Sequence, residues 1–345
     1  MTAEYPDVSY VMPVLNEEGY LADAVAAVLS QVYPGEQELV IALGNSTDDT
    51  TAVAHRLADA DPRVRLVDNP DNDIPVGLNR AIEASRHPIV VRVDAHAELP
   101  PGYTTAMVDL LNSTGAANAG GVMDAKGRAP FQSAVARAYK SPWGLGGGQY
   151  HGASEPGPAD SAYLGVFRRE VLDEVGGYDE TLRRAEDWEL NKRIREAGHQ
   201  VWFTPDVKVV YWPRATPATL RRQMFATGVW RGHLVRREGR TPLRYLAPPA
   251  LVVALGVSAG VGLAQATGLL RGPTSWVASL AHLAPLGYAA GLGVVAATRL
   301  GGRTAQDRGL NFGVLALMHL SWGAGFVKGW LSGAEDTVDT SRVAK

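Results

Sequence analysis

The sequence predicts an α/β protein: a mostly parallel, Rossmann-like sheet with helices on both faces, followed by C-terminal transmembrane helices. Short apolar runs alternate with segments of helical period through the first hundred residues, which is the pattern of βαβ units. Charge then nearly vanishes in three places: no Asp, Glu, Lys or Arg occurs in residues 245–270, 272–298 or 309–327. Each stretch accommodates the about 20 residues of a membrane-spanning helix. The mean hydropathy of −0.07 is thus an average over two unlike parts. The chain of 345 residues exceeds the usual size of one domain. It divides into an α/β domain (1–216), a basic amphipathic or interfacial helix region (217–244), three transmembrane helices (245–330) and a polar tail (331–345).

In order, Val8 to Met12 reads as a strand and Pro13-Val-Leu-Asn16-Glu17-Glu18 as the turn ending it. Leu21 to Ser30 reads as a helix and Glu38 to Leu43 as a second strand. Ser46-Thr47-Asp48-Asp49 has the composition of a cap for a helix over Thr51 to Ala60. Val64 to Val67 is a third strand, Pro75 to Ser85 a helix and Ile89 to Val93 a fourth strand. Residues 114–160 are rich in glycine, with Trp143-Gly-Leu-Gly-Gly-Gly148 and Glu155-Pro-Gly-Pro158. They read as a loop, either closing over a site or plain surface. A helix over Ala185 to Ala197 stops at Gly198, two strands follow (Gln200 to Phe203, Val207 to Tyr211), and a basic helix runs from Pro217 to Arg237. In such sheets ligands gather at the carboxyl ends of strands, so chemistry is expected after Met12, Leu43 and Val93.

Bulk composition mainly excludes. A net charge of −3 gives no case for nucleic acid as a partner. Without cysteine there is no disulfide framework, thiolate metal site or cysteine nucleophile. The opening residues lack the pattern of a signal peptide. Arg221, Arg222, Arg231, Arg236, Arg237, Arg240 and Arg244 precede the first apolar stretch, and Arg299, Arg303 and Arg308 lie between the second and third. Only Arg271 separates the first from the second. By the positive-inside rule, residues 1–244 and the 299–308 loop are cytoplasmic at the cell (inner) membrane, with the tail outside.

Two clusters carry chemistry. Asp94-Ala95-His96 ends a buried-looking strand, where residues two apart point the same way. Such a carboxylate and imidazole can meet a divalent ion, or Asp94 can simply cap a turn. Glu186-Asp187-Trp188-Glu189 opens a helix on which Asp187, Leu190, Asn191 and Ile194 share one face. The bland reading of these acids is first-turn stabilisation by the helix dipole. Arg221, Arg222, Gln223 and Arg231 are either a guanidinium clamp on phosphates or a lipid-facing surface. Trp212 and Trp230 read as interface anchors or as core. His151, in the glycine-rich stretch, is left without a role.

Taken in order, these pieces resemble the family 2 glycosyltransferases of GT-A fold. The residues are Val8-Ser-Tyr-Val-Met-Pro-Val-Leu-Asn-Glu17, Ser46-Thr-Asp-Asp-Thr50, Gly77-Leu-Asn-Arg-Ala-Ile82, Asp94-Ala-His96 in place of an Asp-x-Asp motif, Phe167-Arg-Arg-Glu170, Gly176-Gly-Tyr-Asp179 and Glu186-Asp187. The resemblance covers roughly residues 7–235. Arg92-Val-Asp-Ala-His-Ala97 and the anchored C-terminus look most like the succinoglycan-type exopolysaccharide glucosyltransferases.

That resemblance implies a metal-dependent, inverting hexosyltransferase. It would move a sugar from a nucleotide-sugar, a UDP-sugar in the first instance, to a lipid-linked or glycan acceptor, with membrane lipid around its anchor. It assigns Mg²⁺ or Mn²⁺ to Asp94 and His96, catalysis to Asp187 as general base with Glu186, and acceptor contact to Trp188. Pro13, Asn16, Glu17, Asn45, Asn79, Asp94, Arg222, Gln223 and Arg231 would contact the donor. The sequence departs from the family in three places. Leu43 and Gly44 replace an acidic pair that reads the nucleobase, leaving Asn45, Asp68 or backbone for that task. His96 replaces a carboxylate ligand. Gln223-Met-Phe-Ala-Thr lacks the Gln-x-x-Arg-Trp signature of processive synthases, which favours single-sugar addition. Rival readings are a polyprenyl-phosphate sugar synthase and a non-catalytic membrane scaffold retaining the fold.

Overall fold

The computed structural model describes residues 5–145, 150, 154–239, 241–334 and 337. Two compact units emerge. The first holds the residues up to Lys126 together with Gly146–Trp212; the second holds Gly127–Leu145 and the residues from Pro213.

In the first unit, β1 (Val8–Val14), α1 (Leu21–Leu29), β2 (Gln37–Gly44), α2 (Thr50–Ala60), β3 (Val64–Asn69), α3 (Ile74–Ala84) and β4 (Ile89–Arg92) follow one another as βαβ units. β1, β2, β3 and β4 pair in parallel. The central strands are near-continuous apolar runs because helices cover both of their faces. Val8, Tyr10 and Met12 enter a core completed by Leu21, Val25 and Val28 of α1. Val11, Val40 and Val90 point to the opposite core, under Leu78 and Ile82 of α3.

The chain continues as β5 (Ala97–Glu98), α4 (Tyr103–Thr114), β6 (Asn118–Ala125), α5 (Pro130–Lys140), β7 (Gly157–Pro158), β8 (Tyr163–Arg168), α6 (Arg169–Val175), α7 (Glu186–Glu196) and β9 (Val201–Tyr211). The sheet order is β3-β2-β1-β4-β8-β6-β9-β5, with β7 also on β9. β8 lies antiparallel between β4 and β6, so the sheet is mixed beyond β4. The pair of strands expected over residues 200–211 is one strand, β9. Its register against β6 shifts between Gly120 and Val122, where a Cβ on Gly121 would stand 2.3 Å from the Val207 carbonyl oxygen. The stretch read as a glycine-rich loop, 114–160, contains β6 and α5. His151 lies outside the described residues.

α5 belongs to the second unit, with α8 (Pro217–Glu238), α9 (Ala247–Ala266), α10 (Gly272–Ala278), α11 (Leu283–Thr298) and α12 (Ala305–Ser332). Three helical segments are long and apolar enough to cross a membrane: Leu243–Ala266, Gly272–Thr298 and Ala305–Ser332. α8 starts where expected, behind a Thr216 cap whose side chain accepts from the Thr219 amide. It buries Leu220, Met224, Val229, Trp230 and Leu234, which spread over more than a single stripe. α8 and α12 lie parallel and in close contact through glycines. A Cβ on Gly228 would meet the Trp322 carbonyl oxygen at 2.1 Å, one on Gly232 that of Phe326 at 2.1 Å, and one on Gly329 that of Val229 at 1.9 Å. Only glycine permits backbones so near. Nearer the start of α12, Arg137 of α5 donates to Asn311 (2.9 Å) and Asp307 (3.1 Å).

Candidate active site

β1 and β4 are neighbours, with Val11 paired to Arg92, while β2 and β3 lie on the far side of β1. The strand order reverses direction there, and α/β sheets leave a crevice at the carboxyl ends of such a pair. Two backbone outliers mark the ground around it. Asn16, after β1, has φ 55° and Ala185, before α7, has φ 65°, a region non-glycine residues enter only when their surroundings hold them there.

At the centre is a residue the sequence reading did not single out. Arg92, the last residue of β4, is 6% exposed and meets three carboxylates. Its Nε and Nη2 each lie 3.3 Å from Asp94 Oδ1, both Nη atoms lie 3.4 Å from Glu186 Oε1, and Nη1 donates to Asp187 Oδ1. A buried guanidinium needs such compensation, and its planar fork suits several carboxylates at once. The signal was present: an arginine inside the apolar run Ile89-Val-Val-Arg-Val93 demands buried partners. The three acids differ in exposure. The Asp187 side chain is 40% exposed, against 18% for Asp94 and 9% for Glu186. Desolvation, with Glu186 and Asp94 nearby, pushes the Asp187 carboxyl up to about 7 against the opposing pull of Arg92. The helix dipole alone would keep it ionised throughout the neutral range; here it titrates within that range.

The metal candidates adjoin this group. His96 Nδ1 lies 3.0 Å from Glu17 Oε1, and Glu17 is buried. His96 Nε2 faces Asp94 Oδ2 at 4.0 Å. Adjacent ligands of an octahedral ion with bonds of about 2.1 Å stand about 3 Å apart, so these two donors would share one divalent ion after closing by about 1 Å. A carboxylate on the other ring nitrogen is the usual way to orient a ligating imidazole. Among the described residues no group of three His, Cys, Asp or Glu side chains could hold a metal.

The other candidates are placed as follows. Pro13 lies in the last turn-ward part of β1. Asn16 Oδ1 accepts from the Thr47 amide at 2.7 Å, fixing the turns after β1 and β2 together. Asn45 is tied by its amide to Asn72 Oδ1 at 2.7 Å, and a Cβ on Gly44 would come within 2.9 Å of that same oxygen. A larger residue at position 44 would have to displace the Asn72 side chain from the Asn45 amide. Asn79 clamps Tyr178, donating to its carbonyl and accepting from its amide, both at 2.9 Å. Trp188 carries Lys192 over its ring at 5.8 Å. Arg222, Gln223 and Arg231 are on α8 in the second unit. There Tyr139 donates to Gln223 Oε1 at 2.9 Å and Arg231 lies 4.5 Å above the Tyr245 ring.

A Rossmann-like mixed sheet with an acid-rich crevice at its switch point, joined to apolar helices, defines a GT-A glycosyltransferase with a candidate membrane anchor. The chain belongs to glycosyl transferase family 2, whose model matches residues 9–176. The succinoglycan biosynthesis protein ExoA of Rhizobium meliloti (strain 1021) is 33% identical to it over 323 residues, 92% of each chain. Glycosyltransferase AglE of Haloferax volcanii is 26% identical over 225 residues, 65% of this chain and 72% of that one. Among solved structures, the mannosyltransferase PcManGT from Pyrobaculum calidifontis, in complex with GDP-Man and Mn²⁺, superposes with a TM-score of 0.57. It does so at 20% identity, over 95% of this chain and 88% of that one, and supports the fold.

Proposed function

We propose that the chain is an inverting hexosyltransferase that moves a sugar from a nucleotide-sugar to a hydroxyl of a lipid-linked or glycan acceptor during exopolysaccharide or cell-envelope synthesis. The observation that carries this reading is the graded exposure of the three carboxylates on Arg92. Glu186 and Asp94 are largely covered, while Asp187 is the most exposed of the three and its carboxyl is pushed up to about 7, as suits a general base. Asp187 takes the proton of the acceptor hydroxyl while that oxygen forms its bond to the anomeric carbon. The bond from that carbon to the nucleotide diphosphate breaks in the same step, which inverts the anomeric configuration. Arg92 holds Asp187 in place, and Glu186 positions the first turn of α7.

Asp94 Oδ2 and His96 Nε2 are the residues that would hold Mg²⁺ or Mn²⁺, which when bound neutralises the leaving diphosphate. Glu17, expected to contact the donor, is better read as the group that orients His96. Asn16 and Asn45 line the turns where the nucleotide would rest, beside Pro13 at the end of β1, with Trp188 proposed at the acceptor. The identity with a succinoglycan biosynthesis protein supports the polysaccharide assignment, and a structural neighbour holding GDP-Man and Mn²⁺ supports a nucleotide-sugar and a divalent ion. The arginine bias supports a catalytic unit on the cytoplasmic side of the cell membrane.

The test incubates membranes containing the protein with a panel of radiolabelled nucleotide-sugars and extracts lipid and polysaccharide. One donor is expected to label an acceptor, and label is expected to be absent with Asp187→Asn. Absence of transfer from every donor, or a product of retained anomeric configuration by NMR, overturns the reading.

A further inference from the structure

α12 and the segments on either side of it are not equally suited to lipid. The most apolar stretch of α12 is 44% buried within the protein, against 11% for Leu243–Ala266 and 17% for Gly272–Thr298. α12 is covered chiefly by α8, and also by α5, α9 and α11. Arg137 meets Asp307 and Asn311, and His319 Nε2 lies 2.7 Å from the Trp143 carbonyl oxygen. Gly228 and Gly232 of α8 abut Trp322 and Phe326.

That register decides where the arginines of α8 fall. Arg221 and Arg222 precede Gly228 by about two helical turns, which sets them beside the middle of α12. Arg231 adjoins Gly232, level with Phe326, and Arg236 donates to the Leu331 carbonyl at 2.9 Å. Arg221, Arg236 and Arg237 are exposed. Were α12 to cross the bilayer, the exposed Arg221 guanidinium would be drawn into the hydrocarbon with it, and Arg236 and Arg237, level with the end of α12, would be carried to the far interface. Arginine is among the costliest side chains to leave in hydrocarbon.

The segments before α12 have the opposite character. Val253, Val257, Leu263, Trp276, Val277 and Leu286 are exposed, while the polar side chains turn inward onto one another. Ser258 Oγ lies 2.7 Å from His282 Nδ1, and Gln265 Nε2 donates to Ser279 Oγ at 2.9 Å. Apolar outside and mutually satisfied polar groups inside is what hydrocarbon demands. The foot of this hairpin is marked by aromatic and basic side chains. Tyr245 stacks on Trp322 with centroids 6.1 Å apart under Arg231 and Arg244, and Tyr288 Oη lies 3.1 Å from His319 Nδ1. Such residues collect at the headgroup level. From there α9 and the segment 272–288 each extend roughly 25–30 Å at 1.5 Å per residue, close to the hydrocarbon thickness of about 30 Å.

We infer that only the hairpin of α9 with α10–α11 spans the bilayer, and that α12 lies with α5 and α8 in the headgroup layer of one leaflet. The C-terminal tail is then on the same side of the membrane as α8, contrary to the tail-outside arrangement expected from three spans. The end of the described chain agrees: the Thr337 carbonyl accepts from Trp230 Nε1 of α8 at 3.2 Å, and Lys328 donates to Thr337 Oγ1 at 3.1 Å.

The protein has no cysteine, so single cysteines report cleanly. Ser113→Cys in the first unit, Thr267→Cys at the hairpin turn, and Leu331→Cys and Ser332→Cys at the end of α12 all fall at exposed positions. Full-length variants in spheroplasts are treated with an impermeant maleimide before and after permeabilisation. Thr267→Cys is expected to label fully beforehand, and the other three only afterwards. Labelling of position 331 or 332 together with 267 restores three spans and overturns the inference, as does uniform labelling of all four. Having two reporters on α12 keeps the outcome readable if one variant fails to accumulate.

Discussion

Replacing Asp187 with asparagine removes the proposed base while keeping its size and much of its hydrogen bonding to Arg92. The guanidinium retains Glu186 and Asp94 as charged partners, so the site is not left with an unpaired buried cation. General-base catalysis typically contributes about 10²–10⁴ in rate, and the variant is expected to lose single-turnover transfer by that factor while donor affinity changes little. The pH profile gives a sharper mark. With the carboxyl pushed up to about 7, the ionised fraction falls about tenfold per pH unit below that value. Wild-type kcat/KM should therefore climb through about pH 7 and level off above it, with about one hundredth of the plateau left at pH 5. Asp187→Asn should lack this limb. The sign for stability is opposite to that of an ordinary salt-bridged aspartate. A carboxyl raised in the folded state opposes folding once pH exceeds its unfolded value and does so fully above about 7. Asp187→Asn should thus melt no lower than wild type at pH 8, with any advantage shrinking toward pH 4. Initial rates from pH 5 to 8.5, alongside thermal melts, supply both curves. A flat wild-type profile, or a limb that survives in Asp187→Asn, would refute the assignment of the base.

Four further outcomes are expected. Arg92→Leu strands three carboxylates around a buried position; breaking such a group costs about 3–5 kcal/mol, or about 6–20 °C in melting temperature for a unit of this size, read by tryptophan fluorescence in detergent. Glu17→Gln should weaken Mn²⁺ binding about 10–100-fold by releasing the His96 ring, seen by calorimetry with nucleotide present, while thermal stability stays near wild type. Chelation should abolish transfer and Asp94→Ala should match it; full activity in that variant removes the metal from the scheme. Gly329→Ala places a methyl group 1.9 Å from the Val229 carbonyl oxygen and should cost about 1–3 kcal/mol of stability, whereas Gly291→Ala, with nothing within 4 Å, should be neutral or mildly stabilising.

Legibility followed the physics of each element. β1, β2 and β4 are buried on both faces, and strands of that kind announce themselves as unbroken apolar runs. The α7 face was readable because Leu190, Asn191 and Ile194 recur at helical spacing, and all three are buried. β6 was not readable: Asn118-Ala-Gly-Gly-Val-Met-Asp-Ala is small-residued because Val207 crowds it, and small residues in sequence look like loop. The same glycine-rich surroundings hid α5. Of the site, Asp94, His96, Glu186 and Asp187 were visible from position on strand end and helix start. The convergence of the three acids on Arg92 was not, since Arg92 and Glu186 are 94 residues apart and no local pattern encodes such a meeting. Glu17 was seen, but its engagement with His96, 79 residues on, depends on the adjacency of β1 and β4.

The excursion of α5 has a consequence for any attempt to separate catalysis from anchor. The backbone passes between the two units at Lys126, at Leu145 and again at Trp212, so they are interleaved along the chain rather than strung end to end. A version of the protein cut after Trp212 would keep α5 but strip its surroundings. Buried Gln132 would lose the Pro213 carbonyl, Tyr139 would lose Gln223, and Arg137 would lose Asp307 and Asn311. Ala134, Val135 and Ala138, buried in the whole protein, would be bared to water. Such a fragment is a poor candidate for a free-standing soluble enzyme. Swapping membrane anchors between relatives should succeed only when the partner of the graft includes residues 127–145, making that short stretch, rather than the boundary near residue 213, the seam that recombination has to respect.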